Sequence, residues 1–115
     1  MRRTFAGKVL VISEFGAESN TLNPSGAPGS YSYQAALLAR HIGVYERDRT
    51  LAGMFIWVLR DYALIPGFQG GSIRARLPRV RIIEGLIQKG LFTYAGTAKP
   101  AARTVARRFG GLSPG

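Results

Sequence analysis

The chain has 115 residues, 16 basic against 6 acidic, one His and no Cys, with 46% apolar residues and a formal net charge of +10. That length allows one small domain with a modest core, because a folded chain of this size buries under about 70% of the surface its unfolded form exposes. Without Cys there are no disulfides, Fe–S clusters, Cys-ligated zinc or thiol nucleophiles, and one His argues against a His-based metal site, so no metal or cofactor is expected and the chemistry falls to carboxylates, hydroxyls or amines.

Met1 to Phe5 carries two Arg and no apolar h-region, and the longest apolar run, Gly53 to Leu59, is far short of the ~20 residues that span a bilayer. A soluble chain with no export signal is expected, cytoplasmic by default, with no membrane partner. Lys8 to Ser13 (KVLVIS) is a β-branched apolar run, the signature of a strand buried on both faces as in a parallel sheet. Asn20 to Gly29 (NTLNPSGAPG) has two Pro, two Gly and no periodicity, which predicts an exposed loop. Ser30 or Ser32 can cap a helix reaching about Asp48, with Tyr33, Leu37, His41 and Val44 on the face that packs on the strand.

Met54 to Leu59 (MFIWVL) predicts a second buried strand. Pro66 to Arg81 is a long excursion that ends in the densest basic cluster, Arg74, Arg76, Arg79 and Arg81. The default meaning of such charge is an anionic partner such as nucleic acid. Yet the cluster is interleaved with Ala, Leu and Val rather than stacking aromatics, and Arg outnumbers Lys 13 to 3 throughout the chain, so a solvated loop is the expectation. After Gly85 to Phe92, Pro100 suits a helix first turn, Ala102, Val105, Ala106 and Phe109 repeat at helical spacing, and Gly110 and Gly111 stop the helix. Residues 1–109 are thus expected to fold and 110–115 to form a flexible tail.

Strand, loop, helix, strand, loop, helix is a βαβα order. It gives a parallel pair whose strands need covering helices and further strands beside them. Two strands leave bare edges and are marginal alone, so the chain is expected to be part of a larger α/β architecture. Ligand sites in parallel α/β architectures lie at the carboxyl ends of the strands, and both strands here end in carboxylates: Glu14, followed by Glu18, and Asp61.

The segments VISEFGAES (11–19), YQAALLARH (33–41), AGMFIWVLRDY (52–62), QKGLF (88–92) and AKPAARTVARRF (98–109) together resemble, in family order, the C-terminal end of the catalytic barrel of glycoside hydrolase family 2, the β-galactosidases, β-glucuronidases and β-mannosidases. The resemblance implies the seventh and eighth strand–helix units of a (β/α)8 TIM barrel. It places the catalytic nucleophile of a retaining glycosidase at Glu14, in a Glu–aromatic–Gly pattern, and a sugar platform at Trp57. Asp61 and Lys89 match positions near the substrate, with ion pairing to Arg60 or Arg74 the alternative for Asp61. At Ile87 the chain departs from the β-glucuronidases, which carry there an Asn that binds the glucuronate carboxylate.

The family's acid/base Glu lies in an Asn-Glu pair, and no such dipeptide occurs in the chain. The expected protein is therefore a piece of a retaining O-glycoside hydrolase for a β-glycoside substrate, inactive alone and partnered by the missing N-terminal barrel portion or another chain. The alternatives are a basic nucleic-acid-binding module, which scattered Arg makes the weaker expectation, and a non-catalytic piece that completes a barrel.

Overall fold

β1 (Leu10–Phe15) and β4 (Leu51–Ile56) pair in parallel in a computed structural model that describes residues 6–111; β4 starts three residues before the expected Met54 and ends at Ile56, so Trp57, Val58 and Leu59 lie beyond it. Between them come two bridge-length strands, β2 (Ser19–Asn20) and β3 (Gly29–Ser30), also parallel, and helix α1 (Tyr31–Glu46). After β4 follow β5 (Tyr62–Ala63), the short helix α2 (Ser72–Arg76), β6 (Leu86–Ile87), antiparallel to β5, and helix α3 (Pro100–Gly110). The α/β order matches the sequence. Ser30 caps α1 by accepting the Tyr33 N–H at 3.1 Å, and Pro100 starts α3.

Both helix faces are rotated by about one residue from the expected ones. In α1 the buried residues are Gln34, Leu38, Ile42 and Gly43, while Val44 is exposed. In α3 they are Ala101 and Val105, while Ala106 and Phe109 are exposed. The reason is that α1 packs on α3 as well as on β4, and that a polar residue, Gln34, occupies the buried stripe. The core joins Phe15, Leu38, Ile42, Leu91, Ala101 and Val105, with Ile12, Met54 and Ile56 against it from the sheet.

The two strands are not buried on both faces as the sequence suggests. Ile12, Met54 and Ile56 face the helices, but the alternate positions Val11, Phe55 and Trp57 are 48%, 60% and 41% exposed. Nothing among the described residues covers that side of the sheet.

The 20–29 loop is likewise less exposed than expected, with Asn20 and Asn23 buried. Asn20 Oδ1 accepts the Leu22 N–H at 2.9 Å and Asn23 Nδ2–H at 2.8 Å, closing the turn on itself. The four Arg of the cluster are exposed, two of them, Arg74 and Arg76, on α2 rather than in a loop. Gly110 is the last residue of α3 and Gly111 its cap, so the expected tail begins too early; residues 1–5 and 112–115 lie outside the described residues. No helix among the described residues is long and apolar enough to cross a membrane.

Candidate active site

The carboxyl ends of β1 and β4 lie side by side, and the register between them is irregular where it matters. Ile12 pairs with Met54 and Phe15 with Ile56, so β1 spends three steps where β4 spends two. The extra residue is a bulge at Ser13–Glu14. Ile12 and Phe15 therefore both face the core, three residues apart, and Glu14 leaves the helix side it would share with Ile12 in a regular strand. It is exposed and holds no ion pair among the described residues.

Trp57 follows β4 directly. Its backbone N–H donates to the Phe15 carbonyl at 2.9 Å, which sets it beside the Glu14 strand end, and the Trp57–Val58 peptide is cis. The indole Nε1–H donates to Tyr62 Oη at 3.2 Å, with the two rings edge to face at 6.2 Å. A Cβ on Gly16 would stand 2.5 Å from the Trp57 carbonyl oxygen, so the Gly of the Glu–aromatic–Gly pattern is required by this close approach.

Lys89 joins the same end through its backbone, its carbonyl accepting the Val58 N–H at 3.1 Å. Its half-buried side chain lines a pocket of about 210 Å³ with Gly16, Glu18 and Tyr33. Asp61 is a different case. It is 3% exposed, and its Oδ1 accepts the Gly90 N–H at 2.7 Å and Lys99 Nζ–H at 2.9 Å. Its partner is neither Arg60 nor Arg74; Arg60 Nε–H donates instead to the Tyr94 carbonyl at 2.9 Å. Asp61 thus holds the Lys89 loop from behind instead of facing solvent. Gly90 fits there because a Cβ would overlap the Asp61 backbone nitrogen.

Lys99 is the residue that sequence reasoning missed. Its side chain is fully buried, and Nζ reaches Ser19 O (3.0 Å), Ser19 Oγ (3.2 Å) and Gln88 O (3.1 Å) as well as Asp61. Burial holds its ammonium below the ordinary lysine range, against the opposing pull of Asp61 and then Glu18. Gln34 extends this network: its Oε1 accepts Ser19 Oγ–H at 2.7 Å and its Nε2–H donates to Gly90 O at 3.0 Å. A signal was present. Lys99 occupies the N-cap of α3, where Ser, Thr, Asp or Asn is usual and a cation meets the positive end of the helix dipole, so a lysine there has another task.

Glu18, also buried, accepts the Gln88 N–H at 2.7 Å, and desolvation raises its pKa despite that bond and the nearby Lys89. The folded chain therefore holds this proton more tightly than the unfolded chain does. Between the ordinary glutamate value and the raised one, stability falls as pH rises. Glu18→Gln removes that slope: relative to the parent chain, the variant should gain stability in urea titrations as pH rises above the ordinary glutamate value of 4.5. Parallel curves for the two chains would refute this.

Among the described residues no group of three or more His, Asp or Glu stands together as a metal site. No protein-family model matches the chain, and no curated protein matches it by sequence. Solved structures do match. The chain superposes on a GH2 β-galacturonidase of Eisenbergiella tayi bound to galacturonate with a TM-score of 0.69 at 21% identity, over 90% of this chain and 17% of that one. It matches the β-D-glucuronidase of Dictyoglomus thermophilum at 0.71 and 25% identity, over 92% and 16%. For the β-glucuronidase of Lactobacillus rhamnosus the values are 0.73 and 23%, over 97% and 17%. The chain thus spans about one sixth of these relatives, at most 17% of their length. In fold, the chain resembles a segment of the family 2 glycoside hydrolases.

Proposed function

We propose that the chain is the C-terminal βαβα portion, strand–helix units seven and eight, of a (β/α)8 barrel from a retaining O-glycoside hydrolase, with Glu14 as its nucleophile. One observation carries this: a bulge turns an exposed carboxylate out of line at the carboxyl end of a parallel strand, beside Trp57, in a chain whose fold matches glycosidases. The uncovered sheet face at Val11, Phe55 and Trp57 supports the rest, since a parallel sheet is ordinarily covered on both sides.

In this mechanism Glu14 attacks the anomeric carbon as the glycosidic C–O bond breaks, the departing oxygen taking a proton from the acid/base Glu of the remaining barrel, and water, giving a proton back to that Glu, then releases the sugar from the glycosyl-enzyme. Trp57 offers its indole face to the apolar face of the sugar, its orientation held by Tyr62. Lys89 supplies a donor to a sugar oxygen, and Asp61 with Lys99 positions the Lys89 loop. Ile87 provides no polar side-chain atom where the resemblance places the glucuronate-binding Asn, so the sugar next to Glu14 is not read as a glucuronide.

The chain by itself lacks the Asn-Glu acid/base and turns over no substrate, because general acid–base catalysis typically contributes about 10²–10⁴-fold. Its partner is the remainder of the barrel. Co-expression with the six N-terminal strand–helix units of a family 2 enzyme should give a stable complex that cleaves an aryl β-glycoside. Failure to associate, or cleavage by the 115-residue chain alone, would overturn the proposal.

A further inference from the structure

Between the 20–29 loop and the 76–81 segment runs a cleft of about 610 Å³, within the size range of small-ligand sites. Its two walls are fastened to each other. Asn23 Oδ1 accepts the Arg81 N–H at 2.8 Å, and Asn23 Nδ2–H and Asn20 Nδ2–H both donate to the Arg81 carbonyl at 2.9 Å. The Arg81 backbone is therefore held while its side chain stays exposed. Arg76 and Arg79 line the same cleft and are exposed too, and none of the three guanidiniums has a carboxylate partner among the described residues. Leu77, Val80 and Pro28 supply the apolar floor.

We infer that this cleft binds an anionic sugar of the substrate's leaving side, so that the glycoside is an acidic oligosaccharide. The inference rests on the glycosidase reading. A guanidinium fork takes a planar carboxylate or a sulfate ester in two parallel hydrogen bonds, and apolar side chains suit the C–H faces of a pyranose. The cleft also adjoins a second pocket. Pro28, Leu77 and Val80 are shared with the smaller pocket that Gly16, Glu18 and Lys89 line, next to the strand end that bears Glu14. No aromatic side chain lines the cleft, so it offers no platform on which nucleic-acid bases stack.

Isothermal titration of the full chain at low and moderate salt tests this with three tetrasaccharides: oligogalacturonate for carboxylates, a carrageenan fragment for sulfates, and neutral cellotetraose. The expected result is at least tenfold tighter binding of one anionic sugar than of the neutral one, and which one binds identifies the acid group. Arg79→Ala with Arg81→Ala should weaken it at least tenfold, and Arg79→Lys with Arg81→Lys should restore it only in part. Arg103→Ala with Arg107→Ala, an equal loss of charge on α3, should change it less than twofold.

Equal loss from the two Ala pairs, equal binding of cellotetraose, or tighter binding of single-stranded DNA would overturn the inference. The cleft is read by binding to the chain itself and the nucleophile by turnover in the reconstituted barrel, so a catalytic failure of that barrel is distinct from a failure of the cleft.

Discussion

Lys99→Met should cost the chain about 3–5 kcal/mol, a large share of the roughly 5–15 kcal/mol that holds a small domain folded. The substitution is close to isosteric in its stem, so the burial of that stem is not what changes. What changes is that the Asp61 carboxylate, 3% exposed, loses its 2.9 Å ammonium partner, while Ser19 O, Ser19 Oγ and Gln88 O lose a shared donor. A charge left buried and unpaired is the expensive outcome, more so than the absence of the pair. Asp61→Asn should therefore be comparably damaging, and the double variant should recover part of the sum, with a coupling of about 0.5–3 kcal/mol.

The Glu46–Arg108 pair provides the contrast. It joins α1 to α3 at 3.7 Å with its arginine 45% exposed, and Arg108→Ala should cost under about 1 kcal/mol. Urea unfolding followed by circular dichroism reads all four variants. A loss below about 1 kcal/mol for Lys99→Met would mean that the network does not hold the β-strand ends together.

The contrast between these two pairs also explains which parts of the molecule the sequence announces. Apolar runs carry their period in the residues themselves, so β1, β4, the Ser30 cap and the Pro100 start were legible from 115 letters. The helix faces were not, because Gln34 reads as a solvated residue until Ser19 and Gly90 are brought to it from 15 and 56 positions away. Lys99 depends on longer separations still, 80 residues to Ser19 and 38 to Asp61. Polar networks satisfy donors across the fold rather than along it, and local pattern cannot express that.

The same limit applied to the candidate site. Glu14, Trp57 and Lys89 could be placed from motif context, but the Ser13–Glu14 bulge that turns the carboxylate, and the burial of Asp61, needed the partner strand and the Gly90 loop. The Arg cluster was visible as charge, yet the cleft exists only because Asn20 and Asn23 tie a distant loop to Arg81.

Glu14→Ala, introduced into the chain assembled with the remaining barrel, should lower kcat for an aryl β-glycoside by about 10⁴–10⁶-fold, the scale on which removal of a covalent nucleophile is felt. The residue is exposed and sits in a bulge, so its removal opens no core cavity and the complex should unfold at the parent's urea concentration. A structural role predicts the opposite balance, lost stability with residual activity in proportion to folded protein. Added azide distinguishes the two further. A small anion can enter the space the carboxylate leaves and attack the anomeric carbon from the side Glu14 occupied, and with an activated aryl leaving group the product should be a glycosyl azide of inverted configuration. Glu18→Ala, only four residues along but buried against the Gln88 N–H, should show neither azide rescue nor a comparable loss of kcat. Rescue at position 18, or an active Glu14→Ala complex, would remove Glu14 as the nucleophile.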